Sequence, residues 1–182
     1  MLRYYSVFNV EQCEGLKLPA LPAVVSREHE RIEAAEALVQ SMPNRPTITE
    51  SGQAAWYMPS ADRVNIPALG SFESADAYYA TLLHELGHAT GHESRLHRKE
   101  LQGVVRFGSA DYSREELVAE LTSAYCCATL RLDNSLIDNS AAYLKGWLKA
   151  LKDDPKMIVI ASARAQKAAD YIRGLVGEES GE

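Results

Sequence analysis

The chain contains little cysteine, only three in 182 residues. Cys13 stands alone, and Cys126 and Cys127 are adjacent in a stretch of helical character, so there are no spaced pairs from which to build a disulfide framework. Adjacent side chains on a helix point about 100° apart and rarely reach one metal ion. We therefore interpret the cysteines as small, buried apolar residues.

Long apolar runs are missing as well. No stretch approaches the roughly 20 apolar residues that a membrane-spanning helix needs. The N-terminal residues Met1 to Ser6 lack the apolar region and the small-residue cleavage site of a signal peptide. The sequence therefore predicts a cytoplasmic protein that has no membrane as a partner.

Basic residues are outnumbered, with 19 Lys and Arg against 25 Asp and Glu, so the formal net charge is −6. Domains that bind nucleic acid normally carry a positive field, and this charge argues against such a role. The length and the 46% content of hydrophobic residues suit one globular domain with a real core. We predict a single domain over residues 1–182, with a disordered tail at 177–182.

The order of the hydrophobic patterns predicts an α+β fold. Aromatic and β-branched residues at 3–10, together with three short extended pieces between 47 and 66, predict a small, mostly antiparallel sheet. Helical spacing predicts about five helices packed with this sheet. Their expected ranges are 27–42, 75–90 (with Ser71 or Ser74 at its start), 113–130, 140–151 and 155–172. The connection over 92–112 is long for a compact domain, and such loops are often functional.

The second of the chain's five histidines opens the most informative motif, which runs His84-Glu85-Leu86-Gly87-His88 in a helical segment. Two histidines four residues apart project from one helical face, about 40° apart around the axis. Their imidazoles can therefore bind one metal ion, and Glu85 can polarise a water bound to that ion. The pattern predicts His84 and His88 as ligands of a Zn²⁺ ion.

A catalytic zinc site uses a third protein ligand and leaves the fourth position to water. Metzincins place a third histidine six residues after the second, where this chain has Ser94, so that class is excluded. His92 fits a histidine stabilised at a helix C-terminus. His97 stays a weaker candidate in the following loop, and His29 is interpreted as a solvent-exposed residue on a distant helix.

A glutamate from the next helix is the preferred third ligand. Glu116 and Glu120 lie four residues apart on one face, so one can bind the ion while the other accepts a hydrogen bond from a ligand imidazole. We assign Glu116 as the ligand and Glu120 to the supporting role, and the reverse assignment stays open. The plainer interpretations are a capping box formed by Ser113 and Glu116, and a surface position for Glu120.

The predicted centre would hydrolyse a peptide bond in a peptide or protein substrate. Zinc lowers the pKa of its bound water, and Glu85 accepts the proton as general base. A donor for the tetrahedral oxyanion is also expected, and Tyr112, just before the ligand helix, is the candidate. Its plainer interpretation is a packing tyrosine. An extended substrate could align on a strand at residues 54–58.

Several segments around these residues match the pattern of a known family. They are residues 78–92, 95–96, 113–121 and 166–171, together with the opening at 5–12. These segments resemble the C-terminal, zincin-like metallopeptidase domain of the antirestriction proteins known as ArdC. The resemblance covers most of the chain.

The resemblance implies a zincin fold, a divalent metal and a role in evading host restriction during plasmid or phage entry. Members usually carry an N-terminal domain that binds single-stranded DNA, and on this resemblance we expect the chain to correspond to the C-terminal domain alone. Single-stranded DNA is therefore expected as a partner only through a missing domain. The alternatives to a peptidase are a DNA-protecting antirestriction protein with a structural or vestigial metal site, and a helical interaction module held together by zinc.

Overall fold

The computed structural model describes Gly15 and residues 27–99, 110–133 and 156–175. Those ranges contain four α-helices and three strands, which confirms the α+β class. In chain order they are α1 (Glu33–Ser41), β1 (Thr47–Glu50), β2 (Trp56–Met58), β3 (Arg63–Ile66), α2 (Ala75–Ala89), α3 (Ala110–Leu130) and α4 (Lys156–Ile172). The strand predicted at 3–10, the helix predicted at 140–151 and the tail at 177–182 lie outside the described residues. None of the four helices combines the length and the hydropathy that a bilayer crossing requires.

The sheet is small, as expected, but its pairing is mixed rather than mostly antiparallel. β3 lies in the centre, parallel to β1 and antiparallel to β2. A buried side chain on β3 accounts for this order, because the amide of Asn65 donates to the carbonyls of Ser51 and Ala54, at 2.9 Å each. These bonds hold the β1–β2 connection against β3, so β3 lies between the two earlier strands.

Helix α2 is the central element of the core, and its start follows from its cap. Ser74 accepts a hydrogen bond at 3.0 Å from the amide of Ala77, which satisfies one of the free N–H groups of the first turn. Beyond the cap, the helix buries an apolar stripe that follows helical spacing. It comprises Tyr78, Tyr79, Leu82, Leu83 and Leu86. This packing fixes which face of α2 is left to carry the histidines.

Two helices begin elsewhere than the sequence predicts. α1 begins at Glu33 rather than soon after Ser26, and its N-cap position, Ile32, has no side-chain capping bond. α3 begins at Ala110, three residues before Ser113. Ser113 therefore lies inside the helix, and the capping-box interpretation of Ser113 and Glu116 is wrong.

Candidate metal centre

The two motif histidines converge on one face of α2. The Nε2 atoms of His84 and His88 are 3.2 Å apart, and the two rings are nearly perpendicular, with centroids separated by 4.8 Å. Helical geometry explains the pairing, because side chains four residues apart are neighbours on the helix surface. Both nitrogens can therefore bind the same small ion.

A carboxylate from α3 completes the group. One oxygen of Glu116 lies 3.7 Å from Nε2 of His84, and the other lies 3.6 Å from Nε2 of His88. One donor atom from each of the three residues lies within 4.8 Å of the other two. Two imidazole nitrogens and one carboxylate oxygen match the donor set of catalytic zinc sites that keep an open coordination position. The three side chains therefore fit a divalent metal ion.

The opposite ring nitrogens face further carboxylates of α3. Nδ1 of His84 lies 3.7 Å from an oxygen of Glu120, and Nδ1 of His88 lies 3.3 Å from an oxygen of Glu115. Each imidazole is therefore placed between the shared Glu116 and a carboxylate of its own. The contact of Glu120 is too long for a direct hydrogen bond, whereas that of Glu115 is within reach of one.

Sequence reasoning missed Glu115, although it stands next to Glu116. Its side chain is buried beside a second buried charge, the guanidinium of Arg98. Arg98 donates from Nε to one oxygen of Glu115 at 2.9 Å and from Nη2 to the other. The only signal in the sequence was the run of three acidic residues on α3 at spacings of one and four. That run does not reveal a basic partner seventeen positions earlier in the chain.

The buried carboxylates and imidazoles shift one another's protonation. Burial raises the pKa of the Glu85 carboxyl above its usual range, and the two nearby imidazoles oppose this only in part. Burial alone would lower the pKa of His88, but Glu115 and the other carboxylates around it raise it instead. Burial would likewise raise the pKa of Glu115, yet His88 and Arg98 lower it. The raised pKa therefore suits Glu85 better than Glu115 to accept a proton near neutral pH.

The other histidines take no part in this group. Nδ1 of His92 lies 2.8 Å from the hydroxyl of Ser94, and His97 is exposed with a backbone φ of 47°. His29 is half-buried ahead of α1, with Nε2 3.0 Å from the carbonyl of Phe72, so its expected place on a surface helix is wrong. Tyr112 lies one helical turn before Glu116 on α3 and is half-buried. Its role as an oxyanion donor stays a prediction.

A glycine in the motif sets the distance between the two helices. A Cβ atom added at Gly87 would lie 3.1 Å from Cα of Ala119 and 3.2 Å from its carbonyl oxygen. Both neighbours are backbone atoms, so the helices themselves would have to separate. The missing side chain at Gly87 thus allows α3 to bring its carboxylates to the histidines.

Gly87→Ala is expected to weaken metal binding by about tenfold or more and to cost roughly 1–3 kcal/mol of stability, because overpacking separates α2 from α3. Competition titration with Zn²⁺ and denaturant unfolding of the metal-free protein measure the two effects. Ala169→Val is the control, since it overpacks α4 in the main core. It should lower stability with little change in metal affinity, and equal losses of affinity in the two variants would contradict the role of Gly87.

A family model described as a zincin-like metallopeptidase matches residues 33–164, from the start of α1 into α4. The chain belongs to this family. The resemblance to ArdC-type antirestriction proteins is also confirmed. The crystal structure of the antirestriction protein ArdC from the R388 plasmid in its Mn(II)-bound form has a TM-score of 0.68 and 37% identity, covering 93% of this chain and 60% of that one. The metal-free structure of the same protein gives a TM-score of 0.66 and 38% identity, covering 93% of this chain and 59% of that one.

Similar sequences occur within longer proteins. The uncharacterized protein y4eC of Sinorhizobium fredii is 44% identical over 170 residues, which cover 93% of this chain and 53% of that protein. DNA primase TraC of Escherichia coli is 41% identical over 170 residues, which cover 93% of this chain and 11% of that protein. The chain thus spans about half the length of the first relative and a small part of the second.

Proposed function

We propose that the chain is a zinc-dependent peptidase domain in which His84, His88 and Glu116 bind the ion and Glu85 is the general base. The observation that carries this proposal is the convergence of three donor side chains beside a buried, non-ligating glutamate. A structural zinc site needs no such glutamate, because all its coordination positions are filled by protein ligands. The Mn(II) ion of the similar ArdC structure supports a divalent metal, and the two-histidine, one-glutamate donor set favours zinc.

A divalent ion bound there supplies Lewis acidity, which acidifies a water molecule and polarises the carbonyl of a substrate. Glu85 accepts the proton of the attacking water, because burial holds its pKa above that of an exposed glutamate. The same carboxyl then delivers that proton to the leaving amine. Glu115 orients the imidazole of His88 through its Nδ1 atom, and Glu120 faces Nδ1 of His84 from 3.7 Å.

The substrate in this proposal is an extended peptide or protein segment. β2 is an edge strand of the described sheet, and the backbone of Tyr57 on this strand is near enough to Glu85 to lower the pKa of that carboxyl slightly. A segment that pairs with β2 would therefore place its peptide bonds near the general base. Tyr112 is the proposed donor to the oxyanion of the tetrahedral intermediate.

A cytoplasmic location is part of the same proposal. Cys126 and Cys127 are free and buried, and burial raises the pKa of Cys126 to about 12. A buried thiol with such a high pKa stays protonated and unreactive, which matches the expectation that these cysteines are small, buried apolar residues.

Zinc-loaded protein is expected to cleave unfolded casein, because an extended chain can reach the edge strand. Mass spectrometry of the products should show new N-termini that disappear with a chelator and return when Zn²⁺ is added back. Metal-free protein carried through the same steps is the control for a contaminating protease. Cleavage that continues in the metal-free control, or an unchanged substrate at stoichiometric zinc, would contradict a peptidase of broad specificity.

A second candidate function is protection of DNA from restriction, with a metal site that is structural or vestigial. The observation that favours it is the similarity to the antirestriction protein ArdC, which has been solved both with Mn(II) and free of metal. In this proposal single-stranded DNA is bound through a further domain, since the chain carries a net charge of −6. Antirestriction that does not depend on Glu85 would support this second function.

A further inference from the structure

The guanidinium of Arg98 is buried between the end of α2 and the start of α3. Beside its two bonds to Glu115, it donates from Nη2 to the carbonyl of Gly87 at 2.7 Å and from Nη1 to the hydroxyl of Thr90 at 2.6 Å. Arg98 follows the motif helix in the chain, and only 7% of its surface is exposed. One side chain therefore joins the backbone of the motif to a carboxylate that contacts a motif histidine.

The position of this carboxylate matters because an imidazole has two distinct nitrogens. His88 can offer the lone pair of Nε2 to a metal only when the ring proton is on Nδ1. An oxygen of Glu115, 3.3 Å from Nδ1, is placed to accept that proton's hydrogen bond. It thereby favours the ligating tautomer and fixes the rotation of the ring.

We propose that Arg98 is a positioning residue that holds Glu115 against His88 and so sets the metal affinity of the centre. This inference rests on the proposed metal site but not on peptide hydrolysis. Because the planar guanidinium occupies both oxygens of Glu115, the carboxylate cannot rotate away from His88. A lysine would keep the charge but would donate from a single nitrogen.

The other histidine lacks such support in the part of the chain that the structure describes. Glu120 lies 3.7 Å from Nδ1 of His84, and the structure shows no guanidinium bound to it. Its side chain is 12% exposed, compared with 4% for Glu115. The two imidazoles are therefore held unequally, and the one backed by Arg98 is the more rigid donor.

Arg95 provides a matched control three residues earlier in the same segment. Its side chain is fully buried, and it donates to the carbonyl of Ala89 at 2.6 Å and to that of Asn44 at 2.7 Å. Its carboxylate partner is Asp62, in the turn between β2 and β3. Arg95 therefore binds the backbone at the end of α2, as Arg98 does, but its carboxylate partner Asp62 does not contact a proposed metal ligand.

The experiment compares Arg98→Lys with Arg95→Lys in two measurements, denaturant unfolding of the metal-free protein and competition titration with Zn²⁺ and with Mn²⁺. Both variants are expected to lose stability. Only Arg98→Lys should raise the Kd for the ion, by about 10- to 100-fold. The Kd of Arg95→Lys should stay within about threefold of the wild-type value. An unchanged Kd in Arg98→Lys, or an equal loss in both variants, would overturn the inference.

A second pair of variants decides the matter if Arg98→Lys does not fold. Glu115→Gln keeps one oxygen that can accept from Nδ1 but loses one of the two oxygens that Arg98 binds, so it should lose less affinity than Glu115→Ala, which should lose about 10- to 100-fold. Equal affinity of these two variants would overturn the positioning role. Long-range proton–nitrogen NMR spectra of the zinc-loaded protein should also place the proton of His88 on Nδ1, and a proton on Nε2 would overturn it.

These outcomes separate the inference from the proposed function. A wild-type protein that binds neither ion overturns both, because there is then no affinity for Arg98 to set. Metal binding that weakens in Arg98→Lys, in a protein that cleaves no peptide, leaves the inference standing and removes only the peptidase.

Discussion

Glu85→Gln is expected to lower peptide hydrolysis by at least about 100-fold while the metal stays bound. General bases contribute roughly 10²- to 10⁴-fold to a rate, and the neutral amide has nearly the shape of the carboxylate but cannot accept the proton of the attacking water. Glu85 is buried but is not one of the three converging donors, so its replacement leaves the ligand set intact. Initial rates of peptide cleavage and metal content measured on the same preparation give both quantities.

Glu93→Gln is the matched control for this variant, because Glu93 lies on an exposed position just beyond the motif helix. It should retain both hydrolysis and metal. A Glu85→Gln protein that hydrolyses peptide at the wild-type rate would rule out the general-base role. The same pair of variants separates the two candidate functions in a cellular assay of restriction, since only a protection that depends on peptidase activity is lost with Glu85.

Glu116→Ala is expected to weaken zinc binding by more than about 100-fold, because it removes one of the three proposed ligands. Glu120→Ala removes a carboxylate that faces only the outer nitrogen of His84, so the expected loss is smaller, about tenfold. Metal content after dialysis against a calibrated chelator measures both effects, with His88→Ala as the reference for loss of a ligand.

The comparison of these two glutamates is informative because they share a helix and differ in the histidine atoms that they face. Glu116 approaches both Nε2 atoms, at 3.7 and 3.6 Å. A protein that keeps stoichiometric zinc as Glu116→Ala but loses it as Glu120→Ala would transfer the ligand role to Glu120. That is the reverse assignment, which the sequence leaves open.

The parts of the site that sequence could predict depend on helical periodicity and on the packing of two consecutive helices. The pairing of His84 and His88 follows from helical periodicity alone. The placement of Glu116 near them required only that the next helix pack against the motif helix, and the structure shows that contact at Gly87.

What sequence could not predict depends on contacts between distant segments. The pairing of Arg98 with Glu115 joins a loop to the following helix, and no periodic pattern connects them. The parallel pairing of β1 and β3 could not be predicted, because alternation of polar and apolar residues is the same for either strand direction. α3 begins at Ala110, three residues before Ser113, which is the start that the sequence predicts.

The close contact at Gly87 makes the spacing of α2 and α3 independent of the donor side chains that the two helices carry. The gap between the helices is fixed by backbone atoms of Ala119, while the identity of the donors is fixed by side chains that project into that gap. Donor residues on α3 can therefore be exchanged, by evolution or by design, without moving the scaffold. A single methyl group at position 87 would therefore change the spacing of α2 and α3, whichever donor residues the two helices carry.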